Sequence, residues 1–354
     1  MSGTQDAISD RRSSRARVDV RALQTTLIMA LRLAGLAVAA VAASFAALLV
    51  GGTPLSVGQV VGALAHPSAA DTTGVIIWQL RMPRVCDVAF VGAALAVTGA
   101  LLQGLLRNPL VDPYLTGVSA GAAAAIAIAL VAGASAAVTP ALGFAAGLGT
   151  ALLVAALARR GSGIDPQRLI LAGVSLSAFF SAIVALAIVR AQSSGYANAI
   201  IAWLAGSPAG RTWHDIVICL PYAALAGVLI LPSVPALNAL RIGEGQARSA
   251  GVDVARFQWF VLAAAALLAA CSVELAGMIG FVGLIVPHLG RRIVGSDARV
   301  LLPACAFAGA ALTVLADAAC RAIVAPAELP LGILLAFIGV PVFLYLYLRR
   351  GSER

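Results

Sequence analysis

LIMALRLAGLAVAAVAASFAALLV, residues 27–50, is an apolar run interrupted by one charged residue, Arg32. A spanning helix needs about 20 apolar residues, whereas the apolar core of a cleaved signal is roughly 7–15 residues long. The run therefore reads as a first membrane span and not as a leader. The polar tail before it, residues 1–26, carries Arg11, Arg12, Arg15, Arg17 and Arg21 and is expected to stay in the cytoplasm.

Working outward from this run, similar apolar stretches recur to the end of the chain. Ten spans are expected near 28–50, 84–105, 113–134, 137–158, 168–190, 213–233, 257–276, 278–294, 300–320 and 329–348. A break at Gly277 separates the seventh from the eighth, so a count of nine stays open. Threading ten spans from a cytoplasmic tail leaves both termini inside. Arg107, Arg159, Arg160, Arg168, Arg241, Arg248, Arg256, Arg291, Arg292, Arg299, Arg349, Arg350 and Arg354 then fall on the inner side. Arg81, Arg84, Arg190, Arg211 and Arg321 fall outside it. That bias is the positive-inside pattern of a polytopic all-α membrane protein. The expected organisation is a cytoplasmic tail over 1–26 and one transmembrane domain over 27–350, with a polar inner loop at 234–256.

Composition narrows the function. Hydrophobic residues make up 61% of the 354 and charged residues 11%, where a soluble domain would show roughly 45–50% and about 25%. The formal charge of +9 comes from 24 arginines and no lysine. A P-loop ATPase needs a lysine on the nucleotide phosphates, so ATP hydrolysis by that chemistry is excluded. Nucleic-acid binding is disfavoured because the arginines flank apolar runs and form no face with interleaved aromatics. Cys86, Cys219, Cys271, Cys305 and Cys320 lie in apolar segments without CxxC spacing, which reads as buried thiols. Neither a metal site nor a cofactor is expected.

More specific strings stand at the span ends: RMPR (81–84), LLRNPLVDPYLTGVSAGA (105–122), RLILAGVSLSA (168–178), GMIGFVGLIVPHLGRR (277–292), ADAACRAIVAPAELPLG (316–332) and IGVPVF (338–343). In this order the set resembles the permease subunits of ABC importers for vitamin B12, haem and iron–siderophore complexes. The resemblance extends from about residue 28 over nearly the whole chain. It implies a ten-span permease in the bacterial inner membrane that pairs with a second copy. Two cytoplasmic ATP-binding subunits and a periplasmic substrate-binding protein would complete the assembly. The substrate would be a bulky metal chelate, with an iron–siderophore or haem complex favoured and cobalamin as the alternative.

The same resemblance implies residue roles. Arg81, Arg84 and Arg321 match positions that hold acidic residues of the binding protein, although Arg84 with Asp87 and Arg321 with Asp317 are local alternatives at helical spacing. GEGQARSAG (243–251) matches the coupling region that fits a groove on the ATPase, with Gly243, Glu244, Ala247, Arg248 and Gly251 as its candidates. Asn108, Leu110, Pro166 and Gln167 fall along the cytoplasmic gate, and Pro166 and Gln167 depart from the small hydroxyl residues some relatives carry. Helix capping by Asn108, near Pro109 or Pro113, competes with gating. Glu274, an acid within an apolar span, faces a pathway, has a partner on a neighbouring helix or sits in an aqueous position at the interface. The contrasting class is an ion-coupled secondary transporter, but Asp87, Glu274 and Asp317 all sit near span ends and not at midplane.

Overall fold

The computed structural model describes residues 3–67, 71–135, 138–161, 163–192, 195–325 and 327–351. The helix α1 (Gly3–Leu49) continues unbroken from the tail through the first apolar run. The short α2 (Val57–Ala65) has a reciprocal cap: the Ser56 hydroxyl accepts from the Gln59 amide, and Gln59 Oε1 accepts from the Ser56 amide at 2.8 Å. Next, α3 (Thr72–Val75), a π-helical turn over Ile76–Arg81 and α4 (Met82–Leu105) follow one another without a break. Arg81 thus lies inside helix, nine residues past Thr72, where the helix begins.

A 3-10 turn, Pro113–Thr116, leads into α5 (Val118–Val131) and then α6 (Thr139–Leu157). A two-residue antiparallel hairpin, β1 (Arg159–Arg160) with β2 (Gly163–Ile164), connects to α7 (Pro166–Ala191). The helices α8 (Tyr196–Leu204), α9 (Trp213–Ile230), α10 (Ser233–Ile242) and α11 (Glu244–Ser249) follow. The chain closes with α12 (Val254–Ala276), α13 (Val282–Val294), α14 (Ala298–Ile323) and α15 (Leu331–Gly351).

Seven stretches among the described residues are long and apolar enough to cross a membrane: Thr26–Leu49, Thr72–Leu105, Thr139–Leu157, Pro166–Ala191, Trp213–Ile230, Val254–Ala276 and Ala298–Ile323. Val118–Val131 and Leu331–Tyr345 are shorter apolar helices. A helix lies in each of the ten expected spans, but α13 has 13 residues. At 1.5 Å per residue it covers about 20 Å of a hydrocarbon core roughly 30 Å thick. The expected break is wider than one glycine. Gly277 takes φ 69° and Phe281 φ 68°, and the residues between them stay irregular.

Burial separates the core from the periphery. Within their apolar windows 83% of α12 and 72% of the α3–α4 stretch are buried, against 11% of α1 and 17% of α7 and α9. Lipid tails are as apolar as leucine, so the core is held by close packing across small residues more than by expulsion from water. A Cβ on Gly99 of α4 would lie 1.8 Å from the Gly283 carbonyl oxygen of α13, and one on Gly92 would lie 2.3 Å from the Gly309 carbonyl of α14. The GVSAG and GFAAG strings face each other, with Gly147 against Val118 and Gly121 against Thr150. Gly99→Ala is expected to cost about 1–3 kcal/mol, because the obstacle is backbone and has no rotamer to yield. Gly149→Ala, with nothing within 4 Å of the added carbon, should be neutral or slightly stabilising. Comparable thermal unfolding midpoints for the two variants would contradict this packing.

Candidate functional site

A helix leaves its last four carbonyls without intrahelical partners. At the C-terminal end of α1, arginines from two distant segments meet that need. Arg81 donates to the Leu48 and Thr53 carbonyls, and Arg321 donates to those of Val50 and of Ala47, the last at 3.1 Å. Arg321 also bonds Asp317 at 3.0 Å, and Arg84 bonds the other oxygen of the same carboxylate at 2.9 Å. Arg84 reaches Glu328 as well, at 2.9 Å. Asp317 is 1% exposed and Arg81 and Arg321 are 7–8% exposed, so the network is buried except at the rim formed by Arg84 and Glu328.

The three arginines expected at one face are therefore together, and the local Arg321–Asp317 pair forms. The other local pair does not. Arg84 turns away from Asp87, one helical turn along, and takes the carboxylate of α14 instead. Asp87 is fully buried, with no hydrogen bond to either carboxylate oxygen among the described residues. The π-helical turn ending at Arg81 contributes to this arrangement, since its wider winding re-aims the side chains that follow. Glu328, the accessible carboxylate of the cluster, was missed in the sequence because it lies in the polar break before α15, where an acid is unremarkable.

Glu274 has a partner on a neighbouring helix. It is 6% exposed, and its carboxylate accepts from the Cys219 thiol of α9 at 3.0 Å. Arg211 donates to its backbone carbonyl at 2.7 Å. Its polar neighbours are thus Cys219 of α9 and Arg211 just before that helix.

At the opposite end of the bundle, the inner loop folds into α10 and α11. Gly243 adopts φ 149°, a conformation that side-chain-bearing residues rarely take, and Gly251 ends the segment at φ 81°. Glu244 and Arg248 pair at 2.8 Å across one turn of α11, Arg107 stands 4.0 Å from Glu244, and Ala247 is fully buried. The element is short, polar on one side and anchored on the other.

The residues expected along the gate lie near the same end, and Asn108 and Pro166 take part in local contacts there. Asn108 accepts from the Leu110 amide at 3.0 Å, closing a turn, and starts no helix. The cap before Pro113 is Asp112, which accepts from the Tyr114 amide at 2.9 Å. Burial pushes the Asp112 carboxyl up to about 6, against the pull of the Tyr114 and Phe281 amides. Pro166 opens α7 behind its cap Asp165, whose carboxylate accepts from the Gln167 and Arg168 amides; Gln167 and Leu110 are exposed. A residue missing from the sequence reading joins these parts. Gln103, 3% exposed, donates to the Val111 and Gly283 carbonyls at 3.2 and 3.1 Å and accepts from Arg291 at 2.7 Å. A lone amide inside an apolar span was the available signal. Among the described residues, no three His, Cys, Asp or Glu side chains are grouped as metal ligands.

Comparison with known proteins matches residues 28–349 to the FecCD transport family. A cobalamin import system permease protein, BtuC, of Halobacterium salinarum is 41% identical over 278 residues, covering 78% of this chain and 74% of the relative. The Fe(3+)-citrate import system permease protein YfmE of Bacillus subtilis is 38% identical, over 77% of this chain and 81% of its own length. A solved structure described as an inward-facing conformation of a metal-chelate type ABC transporter superposes with a TM-score of 0.80 at 34% identity. It covers 90% of this chain and 98% of its own.

Proposed function

The chain belongs to the FecCD transport family, and on that premise we propose how it works as the permease of an ABC importer for metal chelates. Two copies form the pathway, each crossing the inner membrane ten times with both termini in the cytoplasm. A separate ATPase supplies the energy and a periplasmic binding protein delivers the substrate. The α11 end faces the cytoplasm and carries the coupling contact through Gly243, Glu244, Ala247, Arg248 and Gly251, near the gate residues Asn108, Leu110, Pro166 and Gln167. The Arg81 end faces the periplasm, where Arg84 at the rim of the buried network with Arg81 and Arg321 receives acidic groups of the binding protein. Family membership removes the ion-coupled secondary transporter from consideration.

The observation that supports this reading most is the family match over 28–349, because it spans both the arginine cluster and the α10–α11 element. The proposed substrate is an iron–siderophore or haem complex. Cobalamin is the second reading, favoured by the similarity to the Halobacterium salinarum permease. The test is uptake into liposomes containing the permease with its ATPase, supplied with the binding protein. Ferric siderophore, haem and cobalamin are offered in turn. One of the three should accumulate only with ATP and the binding protein present. Accumulation at an equal rate without the ATPase would overturn the proposal.

A further inference from the structure

A cavity of about 470 Å³ opens between α4, α10, α13 and α14 at the α11 end of the bundle. Four guanidinium groups line it: Arg107 just after α4, Arg241 from α10, and Arg291 and Arg292 from the last turn of α13. His288 joins them. Two of the arginines are positioned by neutral acceptors, Arg291 by Gln103 Oε1 at 2.7 Å and Arg241 by the Ser296 carbonyl at 2.6 Å. The Ser296 carbonyl orients the Arg241 guanidinium without cancelling its charge.

Among the described residues, two carboxylates stand beside this group, and both are already engaged. Glu244 is 4.0 Å from Arg107 and closer, at 2.8 Å, to Arg248. Asp297 accepts from Asn238 at 2.7 Å and from the Arg299 amide at 2.9 Å, and that amide is the main reason its carboxyl lies below the ordinary range. Among the described residues, Arg107, Arg241 and Arg292 alone outnumber these two engaged carboxylates and leave a positive excess. The negative end of the α13 dipole accounts for Arg291 and Arg292. It does not account for Arg107 and Arg241, which reach the same space from other segments.

We propose that this cavity binds a phosphate-bearing anion, held by guanidinium forks on the phosphate oxygens. A phosphate group, with its several oxygens, can accept from more than one guanidinium fork at once. The opposite wall is apolar, formed by Leu237, Leu301 and Leu302, and a basic pocket between spanning helices on the cytoplasmic side suits an anionic lipid head group with its acyl chains alongside. A free phosphate shares the same chemistry. The location at the cytoplasmic boundary rests on the orientation given under the proposed function.

The full-length permease in detergent is titrated with phosphatidylglycerol, phosphatidylcholine and inorganic phosphate, with bound species read by native mass spectrometry and by the thermal unfolding midpoint. Phosphatidylglycerol is expected to stay bound and raise the midpoint, while phosphatidylcholine does neither. Each guanidinium removed should weaken binding by about tenfold or more, so Arg241→Gln with Arg292→Gln should lose about a hundredfold. Arg159→Gln with Arg160→Gln, basic residues outside the cavity, should change nothing. Should the double variant fail to fold, Arg292→Gln alone severs none of the bonds above and should still lose about tenfold. Saturable binding of inorganic phosphate, lost in the variants, with phosphatidylglycerol no better than phosphatidylcholine, would identify the free anion as the ligand and uphold the site. Equal binding of phosphatidylglycerol and phosphate to wild type and variants, or no binding to wild type, would overturn it. Labelling of Arg107→Cys only from the periplasmic side would overturn the orientation and leave the binding result standing.

Discussion

Gly243→Pro is expected to bring ATP-driven uptake to background while the permease still folds and inserts. Proline holds φ near −65°, and Gly243 sits at φ 149° and ψ 151°, where the chain turns between α10 and α11. Its carbonyl accepts from the Ala247 amide at 3.0 Å, the first bond of α11. Moving this corner re-aims α11, while the spanning helices, whose packing lies elsewhere, keep their contacts. Glu244→Arg leaves the backbone alone and sets a third positive charge between Arg107 and Arg248; it should lower substrate-stimulated ATP hydrolysis strongly as well. Both variants are measured in the liposome-reconstituted complex with the ATPase and binding protein. Normal uptake by Gly243→Pro would remove the α10–α11 element from the coupling pathway.

The second large effect is on stability. Asp317→Asn removes the one carboxylate shared by Arg84 and Arg321, and it does so where both partners have little access to water. Breaking a buried pair from one side costs about 3–5 kcal/mol, because a charge is left without compensation. The loss should appear as a lower unfolding midpoint and as release of the α1 C-terminal end, read by faster hydrogen exchange of residues 47–53. The docking role needs a different variant, since reversing Arg81 or Arg321 would also break the carbonyl contacts that hold α1. Arg84→Gln at the rim should weaken association with the binding protein, most visibly at low salt, while Glu328→Gln should leave it unchanged or strengthen it by freeing Arg84. Unchanged affinity in Arg84→Gln would confine this cluster to structural work.

Much of the architecture was legible along the chain. The apolar runs placed a helix in every expected segment. Gly277 marked a real interruption, and the glycines of 243–251 bounded a short helix. Each of these features depends on neighbours within a few residues, through hydropathy or φ preference, so a linear reading reaches them. The length of α13 was not legible, because the apolar run continues through residues whose backbone is irregular.

Partner choice was decided only by the tertiary structure. Spacing allowed Arg84 to pair with Asp87, yet Arg84 pairs with Asp317, 233 positions away. In the same way Gln103 finds Arg291, Glu274 finds Cys219, and Gly99 meets the backbone at Gly283. The sequence by itself determined that the chain is a helical membrane body with an excess of arginine at one set of span ends. Which buried groups face one another depended on the packing of α4 against α13 and α14 and of α12 against α9. Within a core shielded from water a polar group is held by the complementary partner that the fold brings within bonding distance, whatever the separation along the chain.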